Sequence, residues 1–220
     1  MLDQIKAIVF DAYGTLLDIN SLDDYLAVYF GDKANAISTI WRRKQLEYTW
    51  LRTLMGRYRP FSEVTIEALD FACTQFNLSL TEDIKNDMKR RYYLLDVYPE
   101  VPEVLETLAK KYSLSILSNA NLEMLEKAAQ HNGIDKHLEQ ILSADAIKKY
   151  KPDPEVYKLT ETKLAWKKDQ IAFVSSNTWD VAGAKSYGLN VIWLRRANNT
   201  QETLGFNSDL SLDKLDHLIG

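Results

Sequence analysis

The sequence predicts an α/β fold: a parallel sheet flanked by helices and interrupted early by an inserted all-helical block. Three observations carry this. Short apolar runs recur at residues 5–10, 114–117, 171–174 and 191–194, with a weaker strand candidate at Ile141-Leu142. A helical stretch precedes each of the three later runs, for example at 103–111 and 154–164, and strands alternating with helices imply parallel βαβ units with right-handed crossovers. Between about Asp18 and Val97 no convincing strand is found. These features divide the chain into a core domain of residues 1–17 and 98–220 and a helical domain of residues 18–97.

The first run, Ile5-Lys6-Ala7-Ile8-Val9-Phe10, has five apolar residues in six and reads as a buried strand. It is followed at once by Asp11-Ala12-Tyr13-Gly14-Thr15. Ligands of open α/β sheets sit at the carboxyl ends of the strands, which places Asp11 where chemistry occurs. The competing reading is a turn aspartate that caps the next segment. In the inserted block, Ile37, Ile40, Trp41, Tyr48, Leu51 and Leu54 fall close to helical spacing. Ser62 is expected to cap a helix running through Ala68 and Phe76, and Thr81 with Glu82 and Asp83 to open another. Such a block, laid over the carboxyl end of the sheet, would seal a pocket around Asp11.

Composition bounds the function. The 220 residues are 46% hydrophobic and 26% charged, ordinary for a soluble globular protein. A net charge of −4 argues against a nucleic-acid-binding surface. The single cysteine, Cys73, cannot form an intrachain disulfide, and its apolar helical surroundings read as core rather than as a nucleophile. No apolar run is long enough for a bilayer, and no basic-then-apolar leader is visible. The expectation is a cytoplasmic enzyme acting on a small molecule, with no nucleic-acid or membrane partner.

Three later motifs return to the same sheet edge. Ser118-Asn119 follows the run at 114–117; a hydroxyl and an amide there suit an anionic group, or alternatively cap the helix from Asn121. In Lys151-Pro152-Asp153-Pro154 two prolines fix the backbone. Lys151 is either a solvated surface lysine or a cation that keeps Asp11 ionised. Tyr157, three residues into the next helix, could reach the same place. Ser175-Ser176-Asn177-Thr178-Trp179-Asp180 puts hydroxyls, an amide, an indole and a carboxylate into one loop, although Asn177 or Thr178 could simply cap the next helix.

In order and spacing, Asp11–Thr15, Ser118-Asn119, Lys151-Pro152 and Ser175–Asp180 resemble the four motifs of the haloacid dehalogenase superfamily. The resemblance covers essentially the whole chain. It implies a Rossmann-like core, with the helical insertion as the cap domain. Most members are Mg²⁺-dependent phosphatases, with a second acid two residues after the nucleophilic aspartate and a metal-binding acid in the fourth motif. Tyr13 and Ser176 stand at those positions here. Mg²⁺ demands hard oxygen ligands, so both departures point to the L-2-haloacid dehalogenases, also called haloacid dehalogenase type II, which use no metal or other cofactor. A Mg²⁺-dependent phosphatase, and a hydrolase of another 2-substituted acid such as azetidine-2-carboxylate, are the alternatives.

The resemblance also implies roles. Residues 41–52 are similar to the cap helix of these dehalogenases, in which Arg42 matches the halide-binding arginine, and Phe61 matches an aromatic against the substrate's alkyl group. Arg43, where relatives commonly carry glutamine, and Ala120, where glycine often follows Ser-Asn, are departures. Asp11 would attack the halogen-bearing carbon and form an ester, while Arg42, Asn119 and the edge of Trp179 stabilise the departing halide. Ser118 and backbone N–H groups including that of Tyr13 would hold the substrate carboxylate, and Lys151 would offset the charge of the two acids. Asp180, with Ser175 and Asn177 positioning water, would hydrolyse the ester, while Thr15 and Tyr157 hold Asp11. A short L-2-haloacid and water would give the D-2-hydroxy acid and halide. The activity implied is that of an (S)-2-haloacid dehalogenase, a hydrolase acting on carbon–halide bonds, assembled as a homodimer.

Overall fold

The computed structural model describes residues 4–196 and 199–219. Six parallel strands, β1 (Ala7–Phe10), β2 (Ser113–Ser118), β3 (Gln140–Ser143), β4 (Ile171–Ser175), β5 (Asn190–Leu194) and β6 (Leu210–Leu212), form one sheet in the order β3-β2-β1-β4-β5-β6. β1 therefore lies in the interior, with Phe10 in register with Ile116 on one side and Val174 on the other. All four of its residues are buried, as a strand covered on both faces requires. Burying Ile8, Val9 and Phe10 contributes about 1.5–3 kcal/mol each, which offsets the about 1–2 kcal/mol per residue for fixing the backbone. The strand begins at Ala7 rather than Ile5, because Lys6 N–H already turns to the Gln170 carbonyl. Ile141 and Leu142 do form the strand β3. β6, a three-residue edge strand with no apolar run, is not foreseen by the pattern.

Helices α1 (Leu22–Phe30), α2 (Ala34–Leu54), α3 (Phe61–Thr74) and α4 (Glu82–Tyr93) make the inserted cap. Helices α5 (Val101–Leu108), α6 (Leu122–His131), α7 (Pro154–Leu164) and α8 (Thr178–Tyr187) flank the sheet. On α2 the buried stripe runs Ala34, Ile37/Ser38, Trp41, Gln45 and Thr49. Its helical period is as expected, but its second half is polar. Ile40 and Tyr48 are only half-buried and Leu51 and Leu54 are exposed, because Gln45 and Thr49 take the inward positions. The polar groups are satisfied there: Gln45 donates to Thr65 Oγ1 (2.7 Å) and accepts from the Tyr92 hydroxyl (3.2 Å).

α3 starts one residue before Ser62, so Ser62 lies inside the first turn and does not cap it, and the helix ends at Thr74, short of Phe76. Thr81 caps α4 as expected, accepting from Ile84 N–H. α5 ends at Leu108, three residues short of the expected helix. Cys73 is buried, and burial pushes its thiol up to about 11, consistent with core.

The cap leaves and rejoins the core through two adjacent segments. Leu17 pairs antiparallel with Val97, Asp18 N–H donates to the Asp96 carbonyl, and Tyr98 N–H donates to the Leu16 carbonyl (both 2.9 Å). Arg196, just beyond β5, braces this crossing: Nε donates to the Thr15 carbonyl at 2.6 Å, the guanidinium pairs with Glu100, and it stacks 3.6 Å from the centre of the Tyr98 ring.

Candidate active site

The four motif loops converge at the carboxyl edge of the sheet. Asp11 follows β1, and its N–H still donates to the Val174 carbonyl, so the strand ladder fixes its backbone. The turn after it places Gly14 at φ +84°, a conformation open to glycine. Ser118 ends β2, Lys151 follows β3, and Ser175 ends β4. Trp179 and Asp180 lie in the first turn of α8, one step beyond the loop expected for them.

Lys151 is not solvated. It is wholly buried, with Nζ 3.0 Å from Asp11 Oδ1, 2.9 Å from Asp180 Oδ2 and 4.9 Å from the centre of the Phe173 ring. Burial alone would lower its ammonium pKa, but Asp11 and Asp180 outweigh burial and raise it above the ordinary lysine value. Its backbone is fixed as well, since Lys151 N–H donates to Asn119 Oδ1 at 2.8 Å.

The second oxygen of Asp11 accepts from Thr15 Oγ1 and from Asn177 Nδ2, both at 2.9 Å. With Lys151 on the first oxygen, the carboxylate has a single orientation. Thr15 is itself held by Ser176 N–H (2.9 Å). Asn177 stands at the N-cap position of α8 but makes no side-chain cap; its amide goes to Asp11 and to the Tyr13 carbonyl. Thr178 begins the helix and donates to Glu202, so neither residue is the cap that local pattern suggested. Ser118 is likewise not a helix cap: its hydroxyl accepts from Ala120 N–H at 3.3 Å, and the N-cap position of α6 belongs to Asn121.

Tyr157 is close to the expected place but has a different partner. Its hydroxyl donates to Asp180 Oδ1 at 2.6 Å rather than to Asp11, because the side chain rises from α7 beside α8, where Asp180 lies. Asp180 also accepts from Ser175 Oγ (3.1 Å), which in turn accepts from Asn177 N–H (3.1 Å). Burial, with the charge of Asp11 adding to it, pushes the Asp180 carboxyl up to about 6, despite the opposing Lys151 and Tyr157.

Above Asp11 lies a cavity of about 210 Å³. The core lines it with Asp11, Tyr13, Ser118, Asn119, Asn177 and Trp179, and the cap with Ile19, Arg42, Gln45, Leu46, Phe61 and Tyr92. Arg42 and Phe61 are thus brought to Asp11 from two different cap helices. The Arg42 guanidinium is held in place: Nη2 donates to the Ile19 carbonyl (2.6 Å) and pairs with Asp23 (3.0 Å), while Nε donates to Ser38 Oγ (3.3 Å). The Trp179 indole N–H is buried with no partner among the described residues, leaving a donor beside the cavity. Tyr13 points to the cap: its ring stacks on Tyr92 with centroids 5.1 Å apart and its hydroxyl donates to the Tyr92 carbonyl.

Sequence reasoning missed Ile19, Asp23, Gln45, Leu46 and Tyr92. Gln45 and Leu46 follow Arg42 by three and four residues on one helix, a spacing that would have placed them on the same face. Tyr92 and Asp23 carry no such signal, because other helices bring them in.

The family model for haloacid dehalogenase-like hydrolases matches residues 5–188. The chain is 45% identical to (S)-2-haloacid dehalogenase 1 of Pseudomonas sp. (strain CBS-3), over 91% of this chain and 89% of that one. It is 39% identical to (S)-2-haloacid dehalogenase 2 of the same strain, over 99% and 95%. It superposes with a TM-score of 0.93, at 34% identity over 97% of this chain and 96% of the other, on L-2-haloacid dehalogenase from Xanthobacter autotrophicus with chloropropionic acid covalently bound. Motif order, sheet topology and relatives agree, and the chain belongs to the L-2-haloacid dehalogenases of the haloacid dehalogenase-like hydrolases.

Proposed function

We propose that the protein hydrolyses short-chain L-2-haloacids to D-2-hydroxy acids, through an ester formed on Asp11. The observation that carries this is the Asp11 carboxylate. Lys151, Thr15 and Asn177 orient it at the floor of a small cavity whose cap wall holds a guanidinium.

The substrate carboxylate lies against Ser118 and neighbouring backbone N–H groups. An Asp11 oxygen attacks C2 from the face opposite the halogen, forming the C–O bond as the carbon–halide bond breaks, so the configuration inverts. Arg42, Asn119 and the Trp179 N–H, unpartnered among the described residues, meet the departing halide, and stabilising developing charge in a dry site is worth several kcal/mol. Water, deprotonated by Asp180, then attacks the Asp11 carboxyl carbon. The hydroxy acid leaves and Asp11 is restored, with a proton released. A base with a pKa raised to about 6 is ionised at neutral pH yet can still accept a proton. Ser175 and Tyr157 are positioning residues for Asp180, as Thr15 is for Asp11.

A magnesium ion, the cofactor of most of the superfamily, does not fit the residues present. The Lys151 ammonium already bridges Asp11 and Asp180, and the Ser176 hydroxyl donates to the Gly14 carbonyl. Among the described residues no group of three or more His, Cys, Asp or Glu side chains gathers elsewhere.

The cap spans residues 18–97, and the protein acts in the cytoplasm as a homodimer. Among the described residues no helix is long and apolar enough to cross a membrane. Exposed Leu54, Met55, Leu204 and Phe206 support association with a second copy, which light scattering would test.

Halide release from L-2-chloropropionate, unchanged by a chelator, tests the activity. In a single turnover in heavy-oxygen water, the label should enter the Asp11 carboxylate rather than the product hydroxyl. Label passing directly into the hydroxy acid would mean that water attacks the substrate.

A further inference from the structure

Asn121 caps a helix that is not its own. It occupies the N-cap position of α6, yet makes no side-chain bond to that helix. Its Oδ1 instead accepts from the N–H of Ser62, 59 residues away and the second residue of α3. α3 lacks a cap of its own, because the residue before its first turn is Pro60, whose side chain has no acceptor. One hydrogen bond of 2.9 Å thus joins the loop carrying Ser118 and Asn119 to the first turn of a cap helix.

The first residue of α3 is Phe61, which is buried and lines the cavity. Its ring packs between Tyr13 and Tyr150, with centroids 6.3 and 6.2 Å away. The Tyr150 hydroxyl donates to the Arg59 carbonyl, a second tie between the core and the same stretch of cap. Ser118, Asn119 and Arg42 are among the polar residues of the lining, with Asp11, Gln45 and Asn177, and by the family resemblance they suit the carboxylate and the halide. Phe61 belongs, with Ile19 and Leu46, to the apolar part of the lining, and the family resemblance sets it against the carbon chain of the substrate.

We propose that Asn121 is a positioning residue for substrate selection. By capping α3 across the boundary between core and cap, it sets the separation between Phe61 and the Ser118-Asn119 loop, and so limits the length of alkyl chain the cavity accepts. The selection rests on the dehalogenase reading above; the capping does not.

The test compares wild type, Asn121→Ala and Asn121→Asp, all as full-length protein. Aspartate caps as well as asparagine, whereas alanine does not. Hydrogen exchange at the start of α3 should quicken roughly five-fold in Asn121→Ala and return to the wild-type rate in Asn121→Asp. The preference in kcat/KM for L-2-chloropropionate over L-2-chlorohexanoate should fall at least about three-fold in Asn121→Ala and be restored in Asn121→Asp. The ratio compares two anionic substrates, so the charge added by aspartate cancels. Unchanged exchange in Asn121→Ala would overturn the capping. Quickened exchange with an unchanged preference, or a lost preference that Asn121→Asp does not restore, would overturn the selection. Failure of the wild type to release halide would defeat the dehalogenase reading and the selection with it, while the exchange comparison still decides the capping.

Discussion

Gly183 and Tyr157 compete for one space: a Cβ on Gly183 would lie 2.5 Å from the Tyr157 hydroxyl oxygen and 2.7 Å from Pro152 Cβ. Only glycine lets α8 approach α7 closely enough for that hydroxyl to reach Asp180. Gly183→Ala is expected to destabilise the fold by about 1–3 kcal/mol through overpacking. Displacing Tyr157 from the base should also slow turnover by about tenfold. Thermal melts and steady-state halide release measure the two effects.

Asp180 should govern the acid side of the pH profile. Its carboxyl is raised to about 6 and only the ionised form can take a proton from water, so kcat should fall about tenfold per unit below that pH. The sign for stability is opposite. A carboxyl raised above its unfolded value favours the folded protein when protonated, a contribution present below about pH 4 and lost as pH rises through 6. Asp180→Asn should abolish the acid limb and let an adduct on Asp11 accumulate, visible by intact mass.

Lys151→Met should be costly twice over. It leaves Asp11 and Asp180 buried without their shared cation, a loss of about 3–5 kcal/mol by the usual cost of breaking a buried pair. Denaturant unfolding should show that loss, and halide release should be undetectable.

Arg42→Lys keeps a positive charge but loses the planar fork that spans Ile19, Ser38 and Asp23. Turnover should fall about a hundredfold with the fold intact. Asp23→Asn preserves an acceptor for Arg42 but removes the compensating charge. Chloride should then inhibit several-fold more strongly, as read from product-inhibition kinetics.

How much of this was legible in the sequence depends on the range of the interaction. Asp11, Ser118 and Ser175 each stand at or directly after a strand, and the strand ends of a parallel sheet share one edge, whereas Lys151 lies beyond β3 across the helical turn Ala144–Ile147. The helical insertion was legible from helical spacing together with the lack of convincing strands between about Asp18 and Val97. The inward face of α2 was not, because a polar network of Gln45, Thr65 and Tyr92 replaces apolar side chains along half of it. Position in α7 brings Tyr157 near both acids, but only the approach of α8 selects Asp180. Arg42 and Phe61 came from family resemblance, since nothing local relates a basic cap helix to a distant aspartate.

The interior position of β1 has a consequence for how the chain is made. Its neighbours β2 and β4 begin at Ser113 and Ile171, so the strand that carries Asp11 leaves the ribosome first and waits longest for its partners. The contacts between α2 and α3 are close in sequence and form quickly, whereas pairings across more than a hundred residues form slowly. The α2–α3 pair can therefore form before β1 finds its neighbours, and Asp11 meets the loop after β4 only once residues 171–175 have been made.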